Sequence, residues 1–212
     1  MFPLGIVNQG GTPVSSWNKV LEMKFNGNFA DSTGRHSPIS YGAITSSAQS
    51  VEGGYSMYCA ANGRVFTDNF GGDNADFDTA SKDFKVECYI YPTSYYDRYV
   101  WMKSSGNDFG ITLLINDAGG GNTVIYSRGR GNVDLNLSVV VPSILNKWTK
   151  LTVQREGNDW SLLVDDVVMA TVSWTEIGMP TSGTGYNGFT IGGAANSDRY
   201  SGYIDNFIVY TK

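Results

Sequence analysis

Residues 147–172 read K-W-T-K-L-T-V-Q-R-E-G-N-D-W-S-L-L-V-D-D-V-V-M-A-T-V, and this stretch decides the fold class. In its first part apolar and polar residues alternate, which places Leu151 and Val153 on one face of an extended chain and Lys150 on the other. Alternation with a period of two is typical of a β-strand that packs one face against a core and leaves the other in water. The stretch therefore predicts strands and not helices.

Two tight turns divide this stretch into three strands. Residues 156–159 (E-G-N-D) form the first turn, where Gly157 and Asn158 can both take the positive φ that a tight hairpin requires. Asp165 and Asp166 form the second turn, because aspartate tolerates the left-handed region better than most other residues. The sequence therefore predicts an antiparallel three-stranded meander.

The rest of the chain is organised in the same way. Short alternating stretches separated by Gly, Asn and Asp recur about every 8–12 residues, which is typical of an all-β sandwich of the jelly-roll type. The predicted strands are residues 20–25, 39–45, 55–60, 64–67, 84–91, 98–103, 109–115, 123–128, 134–140, 147–155, 160–165, 167–173, 188–192 and 203–210. One short helical turn is predicted near residues 142–145. We therefore expect a two-sheet antiparallel β-sandwich.

Five segments resemble, in the same order, the motifs of the laminin-G-like and concanavalin A-like lectin domains. They are 21–36 with its loop D-S-T-G-R-H, 53–58 (G-G-Y-S-M-Y), 83–92 (D-F-K-V-E-C-Y-I-Y-P), the meander at 147–172, and 202–207 (G-Y-I-D-N-F). D-S-T-G-R-H and Y-I-Y-P-T-S look most like versions carried by structural proteins of tailed bacteriophages. The resemblance implies a concanavalin A/laminin-G-like sandwich over residues 19–212, with its first and last strands side by side, and leaves residues 1–18 as an N-terminal arm.

Composition and charge exclude several classes of partner. The chain has 212 residues, a net charge of −5 and only 15 basic residues without a cluster, so neither nucleic acid nor an anionic membrane surface is expected to bind. No apolar run is long enough for a transmembrane helix. Met1–Val7 lacks the basic region of a secretory signal, so we expect folding in the cytosol.

The N-terminal arm is either a frayed terminus or a docking segment. We favour docking on a neighbouring subunit through Phe2, Leu4, Ile6 and Val7.

Cys59 and Cys88 both fall at inward-facing positions of predicted strands. Two interpretations stay open. They are either small buried hydrophobic residues with reduced thiols, or the two halves of a disulfide between neighbouring strands.

Catalysis is not expected. Glycosidases of this superfamily place two carboxylates on one strand face, and the five glutamates here lack that spacing. Glu87 is the nearest in strand context, but the residues beside it on its strand face are Lys85 and Tyr89. His36 is the only histidine and lies in the D-S-T-G-R-H loop, where a structural hydrogen-bonding role is expected.

Two candidate binding sites follow from residue types. Residues 67–78 are rich in Asp, Asn and Gly, which suits Ca²⁺ but also suits any β-loop; laminin-G-like domains often hold one Ca²⁺ at the rim. The candidate calcium ligands are Asp68, Asp73, Asp76 and Asp78. Aromatic residues concentrate around residues 91–101, which suits either stacking on sugars or packing in a core or interface. The candidate glycan-binding residues are Tyr95, Tyr96, Asp97, Arg98, Tyr99 and Trp101.

The sequence therefore favours a non-enzymatic structural protein of a phage virion. As a capsid decoration, head-fibre or tail-associated subunit, it would dock on other virion proteins and display a lectin-like sandwich to cell-surface glycans. We expect several copies or a homo-oligomer on each particle, since avidity multiplies weak contacts. Its expected location is the virion, assembled in the host cytoplasm and extracellular as part of the particle. The alternative is a free-standing carbohydrate-binding module or lectin of bacterial origin.

Overall fold

The structure, a computed structural model, describes residues 16–59, 63–67, 75–78, 82–95, 99–105, 108–129, 135–174, 188–193 and 200–212. These residues form a sandwich of two antiparallel sheets, so the predicted all-β fold is confirmed. Residues 1–15 of the N-terminal arm, with Phe2, Leu4, Ile6 and Val7, lie outside the described residues.

The first sheet has eight strands in the described part of the chain. They are β1 Asn18–Met23, β3 Ile44–Ser46, β4 Ser56–Cys59, β6 Phe84–Pro92, β11 Thr149–Glu156, β12 Asp159–Val164, β13 Val167–Ser173 and β15 Gly202–Thr211. Their order is β13-β12-β11-β6-β15-β4-β3, and β1 also pairs with β15. The first and last strands are therefore neighbours, as the family resemblance implies.

The second sheet has seven strands in the same described residues. They are β2 Ile39–Tyr41, β5 Arg64–Phe66, β7 Tyr99–Ser105, β8 Asp108–Gly119, β9 Asn122–Gly129, β10 Leu135–Pro142 and β14 Phe189–Ile191. Their order is β10-β9-β8-β7-β14-β5-β2. The edge strands β10 and β13 of the two sheets lie against each other, which closes one side of the sandwich.

The core lies between the two sheets and follows the alternation in the sequence. On β6, Phe84, Val86, Cys88 and Ile90 are fully buried, while the residues between them are partly exposed. Burial of one large apolar side chain stabilises the fold by about 1.5–3 kcal/mol, so this alternation fixes which face of each strand points inward. Cys88 and its counterpart Cys59 are free thiols buried in this core, which decides the question of a disulfide in favour of the reduced form.

The meander is confirmed as β11, β12 and β13, with Val164 paired to Val167 across the second turn. Asp165 and Asp166 take φ values of 49° and 65°, the pattern of a type I′ hairpin. In the first turn Gly157 takes a φ of 60°, but Asn158 does not adopt a positive φ. The expectation for Asn158 was therefore wrong, because one glycine is sufficient for a turn of the II′ kind.

Two other local predictions were also wrong. Residues 39–45 do not form one strand, because Gly42 at a φ of 71° ends β2 in the second sheet before β3 begins in the first. The predicted helical turn near residues 142–145 is not helical. Among the described residues the helical turn is instead a 3₁₀ turn at Ala75–Phe77. No helix within the described part of the chain has the length and apolar character needed to cross a bilayer.

Candidate functional site

A row of four aromatic side chains crosses the outer face of the first sheet. Tyr203 on β15 lies directly opposite Tyr58 on β4 and, on its other side, opposite Tyr91 on β6. The pairing of β11 with β6 places Trp148, just before β11, next to Tyr91. The ring centroids are 4.8 Å apart for Tyr58 and Tyr203, 5.9 Å for Tyr203 and Tyr91, and 5.5 Å for Tyr91 and Trp148. We call Tyr58, Tyr203, Tyr91 and Trp148 the aromatic row.

The row is on the outside because its strand neighbours are on the inside. Met57, Ile204 and Ile90 each precede or follow a row residue and are fully buried in the core. Since side chains alternate along a strand, the four rings point away from the core, and all four are half-buried. Ile44 on β3 pairs with Tyr58 and is 55% exposed, so it continues the row to the edge of the sheet.

Contacts of Gly202 and Tyr200 fix the position of Tyr203 at the centre of the row. A Cβ atom on Gly202 would lie 2.2 Å from the Tyr91 carbonyl oxygen, and the φ of 144° is one that glycine favours. The buried Tyr200 hydroxyl donates to the Tyr203 carbonyl at 3.2 Å. Burial raises the pKa of Tyr200 well above its usual value, so the phenol keeps the proton that it donates. These contacts fix β15 against β6 and thereby align Tyr203 with Tyr91.

A turn that is fixed by two backbone hydrogen bonds places Trp148 at the other end of the row. Asn146 adopts a φ of 55° and donates its backbone N–H to the Pro92 carbonyl at 2.9 Å. The Lys147 N–H donates to the Ile144 carbonyl at 3.1 Å, which closes the turn immediately before Trp148. The tryptophan is therefore attached to the strand that carries Tyr91.

Uncharged hydrogen-bonding groups lie along one flank of the row. Thr93 and Ser201 lie two residues from Tyr91 and Tyr203, and their hydroxyl oxygens are 3.2 Å apart at the surface. The Thr93 N–H donates to the Ser201 carbonyl at 3.0 Å, so the β6–β15 ladder extends to this pair. Each hydroxyl can both donate and accept a hydrogen bond.

Charged groups on the opposite flank are paired with each other. Lys150 Nζ lies 2.7 Å from the Asp166 carboxylate and 3.5 Å from that of Glu87. Burial alone would lower the pKa of Lys150, but the hydrogen bond to Asp166 and the charge of Glu87 outweigh it and raise that pKa. Glu87 also lies 3.4 Å from Lys85 and accepts a hydrogen bond from the Tyr210 hydroxyl at 2.9 Å. The flank is therefore a neutralised ion-pair network.

The predicted glycan-binding residues are only partly placed by the structure. Trp101 is fully buried between the sheets, so its assignment to a sugar-binding surface was wrong; a register shift between Tyr99 and Trp101 places both Val100 and Trp101 in the core. The Tyr95 hydroxyl forms hydrogen bonds with the hydroxyls of Thr123 and Ser143 and its ring packs on the core, which gives it a structural role. Tyr99 is half-buried at the start of β7. Tyr96, Asp97 and Arg98 lie outside the described residues.

The predicted calcium ligands do not form a metal site in the part that the structure describes. The Asp76 carboxylate is bound by the Arg35 guanidinium in a two-point ion pair, with Nε at 2.7 Å, and this lowers the pKa of Asp76. A cation at Asp76 would have to displace that guanidinium. Asp78 follows the 3₁₀ turn and is half-buried. No group of three or more His, Cys, Asp or Glu residues suited to a metal occurs among the described residues, and Asp68 and Asp73 lie outside them.

His36 has the structural role that its loop suggests. Its ring is stacked on Phe77 with centroids 4.4 Å apart, and Nε2 lies 3.5 Å from the Asp76 carboxylate. Its backbone N–H donates to the carboxylate of Asp31, which also accepts from the backbone of three other residues. The D-S-T-G-R-H loop is therefore closed around Asp31 and attached to the loop that carries Asp76.

Sequence reasoning identified Tyr91 as part of an aromatic concentration but missed the row. Its members are spread over residues 58, 91, 148 and 203, so clustering along the sequence could not find it. The sequence signal that could have found the row is whether each of its residues falls at an inward-facing or an outward-facing position of its predicted strand. Tyr58, Tyr91 and Tyr203 each stand beside an inward-facing core residue and are thus assigned to the outer face.

Comparison with known proteins identifies the fold family. A laminin-G family model described as the concanavalin A-like lectin/glucanases superfamily matches residues 62–212, more than half of the chain. A comparison with curated protein sequences gives no match. Among solved structures, domain 4 of AbnA, a GH43 extracellular arabinanase from Geobacillus stearothermophilus, is similar with a TM-score of 0.65 and 12% identity over 92% of both chains.

Two botulinum neurotoxin structures are similar to the same extent. Botulinum neurotoxin type C has a TM-score of 0.66 and 13% identity over 91% of this chain and 47% of its own. The binding domain of botulinum neurotoxin DC has a TM-score of 0.65 and 11% identity over 91% and 47%. The chain thus spans about half the length of these neurotoxin chains, and identities this low establish a shared fold alone.

Proposed function

Because the chain belongs to the concanavalin A-like lectin/glucanases superfamily, we propose that it is a glycan-binding module without catalytic activity and that the aromatic row is its binding surface. The observation that carries the proposal is the alignment of Tyr58, Tyr203, Tyr91 and Trp148 at one register across four adjacent strands. Because these half-buried aromatic rings lie on the outer face of the sheet, packing of the core does not account for their alignment.

The chemistry of a sugar fits this surface. A sugar ring has C–H groups on one face and hydroxyls at its rim, so an aromatic ring stacked on that face removes apolar surface from water. The hydroxyls of Thr93 and Ser201 lie beside the rings and can meet hydroxyls at the rim. Stacking groups with a few polar groups around them are typical of sites for small molecules.

The structural neighbours support the same class of ligand. The arabinanase domain is in complex with arabinotriose, the neurotoxin of type C interacts with two ganglioside molecules, and the DC binding domain is in complex with SialylT. These ligands belong to those proteins. They support the proposal because similar solved structures belong to proteins that interact with arabinotriose or with gangliosides.

The absence of catalysis is part of the proposal. Glycoside hydrolysis requires two placed carboxylates, one of which acts as an acid. Glu87, the carboxylate nearest to this role on the outer face, is engaged by Lys85, Lys150 and the Tyr210 hydroxyl. These contacts engage its carboxylate in an ion-pair network, which suits a structural role.

A glycan array with the purified chain tests the binding surface. We expect saturable binding that falls by about tenfold or more in Tyr203→Ala and Trp148→Ala, since each removes a stacking ring. Tyr126→Ala is the matched control, because Tyr126 is a half-buried tyrosine on β9 of the other sheet, beside Arg128. Binding that survives both row variants, or that is lost in the control as well, would refute the assignment of the site.

We further propose that the module acts on a phage particle, docked through its arm and present in several copies. The support is the resemblance of D-S-T-G-R-H and Y-I-Y-P-T-S to phage structural proteins. A free-standing carbohydrate-binding module agrees equally well with the fold. Co-purification with particles, and its loss on deletion of residues 1–17, would favour the virion role. Glycan binding by a protein that never associates with particles would favour the free-standing module.

A further inference from the structure

We infer that the aromatic row accepts a single neutral glycan chain of several residues, lying across the strands, and does not bind the flat face of an insoluble polysaccharide. The inference rests on the proposed function and specifies its ligand. It follows from the direction of the row, from the angles between its rings and from the charges around it.

The direction of the row favours an extended chain. Neighbouring strands lie about 4.8 Å apart, so a ligand that crosses them at right angles meets one new ring per strand. The observed centroid distances of 4.8, 5.9 and 5.5 Å follow this spacing. Successive sugar rings of an extended chain repeat at a similar distance, so four rings can each contact a different sugar. A monosaccharide would use only one of them.

The angles between the rings exclude a flat partner. The interplanar angle is 37° for Tyr58 and Tyr203, 76° for Tyr203 and Tyr91, and 57° for Tyr91 and Trp148. A planar face of packed polysaccharide chains cannot lie flat on rings that are turned this far from each other. A single chain can, because each sugar is free to rotate about its glycosidic bonds until its C–H face meets the next ring.

The charges around the row favour a neutral chain. On one flank the side chains are the hydroxyls of Thr93 and Ser201. On the other flank Lys150 is paired with Asp166 and Glu87, so its positive charge is already neutralised. The net charge of −5 also disfavours an anionic ligand. A sulfated or uronic acid chain would therefore gain no ion pair here.

A chain-length series measured by calorimetry tests this inference. The probes are neutral gluco-, xylo- and arabino-oligosaccharides of one to six residues, uronic acid oligosaccharides of matched length, and suspensions of microcrystalline cellulose and chitin. We expect affinity to rise at least about tenfold from one to four residues and then level off, with little dependence on salt and no depletion by the suspensions. Trp148→Ala should weaken the tetrasaccharide more than the disaccharide, whereas Tyr126→Ala should change neither.

The possible failures can be told apart. If a monosaccharide binds as tightly as a tetrasaccharide, if anionic chains bind more tightly in a salt-dependent way, or if the crystalline suspensions deplete the protein, the inference is overturned while glycan binding stands. If no probe binds in any form, or if Tyr203→Ala leaves binding unchanged, the aromatic row is not a glycan site. Both the proposed function and the inference then fail.

Discussion

Replacing Asp31 with asparagine is the most informative test of how the D-S-T-G-R-H loop is held. The Asp31 side chain is 8% exposed. Its Oδ1 accepts the backbone N–H groups of Glu22 and Thr33, both at 2.9 Å. Its Oδ2 accepts those of Arg35 at 3.1 Å and His36 at 3.0 Å. Each oxygen therefore serves two backbone donors.

The change is nearly isosteric but cannot preserve these hydrogen bonds. Whichever way the amide of Asp31→Asn is turned, its NH₂ group faces two backbone N–H donors, so two of them lose the carboxylate as acceptor; where the Arg35 N–H is one of them, it keeps only its longer contact of 3.4 Å to Thr33 Oγ1. A buried donor without a partner costs about 1–3 kcal/mol, so the loss of two acceptors should cost roughly 2–6 kcal/mol. This is a large share of a domain stability of about 5–15 kcal/mol.

The loss is measured by urea unfolding of the wild type and the variant. At a slope of about 1–3 kcal/mol per molar, the midpoint should fall by on the order of 1 M or more with the slope unchanged. Asp117→Asn is the control, because Asp117 accepts the Gly119 N–H at 2.8 Å in an exposed turn and an asparagine carbonyl can replace that oxygen. A midpoint for Asp31→Asn that matches the control would refute the reasoning.

The same carboxylate contributes to acid sensitivity. Burial alone would raise the pKa of Asp31, but the hydrogen bonds from Thr33, Glu22 and His36 outweigh it and hold the pKa below its usual value. Its stabilisation is therefore fully present above the unfolded pKa of about 3.9 and is lost as the pH falls through the lower folded pKa. Asp31→Asn should lose this part of the acid transition.

Three further outcomes are expected. In denaturant unfolding, Gly202→Ala should destabilise the chain by roughly 2–4 kcal/mol, because its Cβ meets a backbone carbonyl, and it should also abolish glycan binding. Gly54→Ala, with open space around the new Cβ, should cost about 1 kcal/mol in the same measurement. Cys59 and Cys88 should resist a thiol reagent until the chain unfolds, since burial raises the pKa of both thiols. Burial also raises the pKa of Asp205, so an NMR titration should place it above about 3.9, and the free energy of unfolding should fall as the pH rises between the two values.

The local alternation in the sequence predicted most of the fold. The stretch 84–91 was predicted as a strand and is found as Phe84–Pro92, because a period of two with a fully buried face leaves little freedom. Residues 39–45 show where this fails. The pattern continues through Gly42, but its φ of 71° turns the chain from one sheet to the other. The sequence pattern around a single glycine is the same whether that glycine lies within a strand or ends one.

The candidate site was not predictable from the sequence to the same degree. The proximity of Trp101 to Tyr95 and Tyr99 along the chain suggested a common surface, yet a register shift between Tyr99 and Trp101 interrupts the alternation of β7 and the tryptophan lies in the core. Conversely, Tyr58 and Tyr203 are neighbours only because β4 pairs with β15. One sequence gives the face on which a residue lies, but the order of strands in a sheet depends on long-range pairing that it does not reveal.

The break at Gly42 also has a mechanical consequence. Because β2 and β3 are joined through Gly42 and Ala43, a continuous backbone passes from one layer to the other at that side of the sandwich. At the opposite side the edge strands β10 and β13 lie against each other, and residues 143–148 carry the backbone from β10 in the second sheet to β11 in the first. The backbone therefore joins the two sheets at both sides of the sandwich, and thermal fluctuation should expose the edge strands β13 and β10 to amide hydrogen exchange before it separates the sheets.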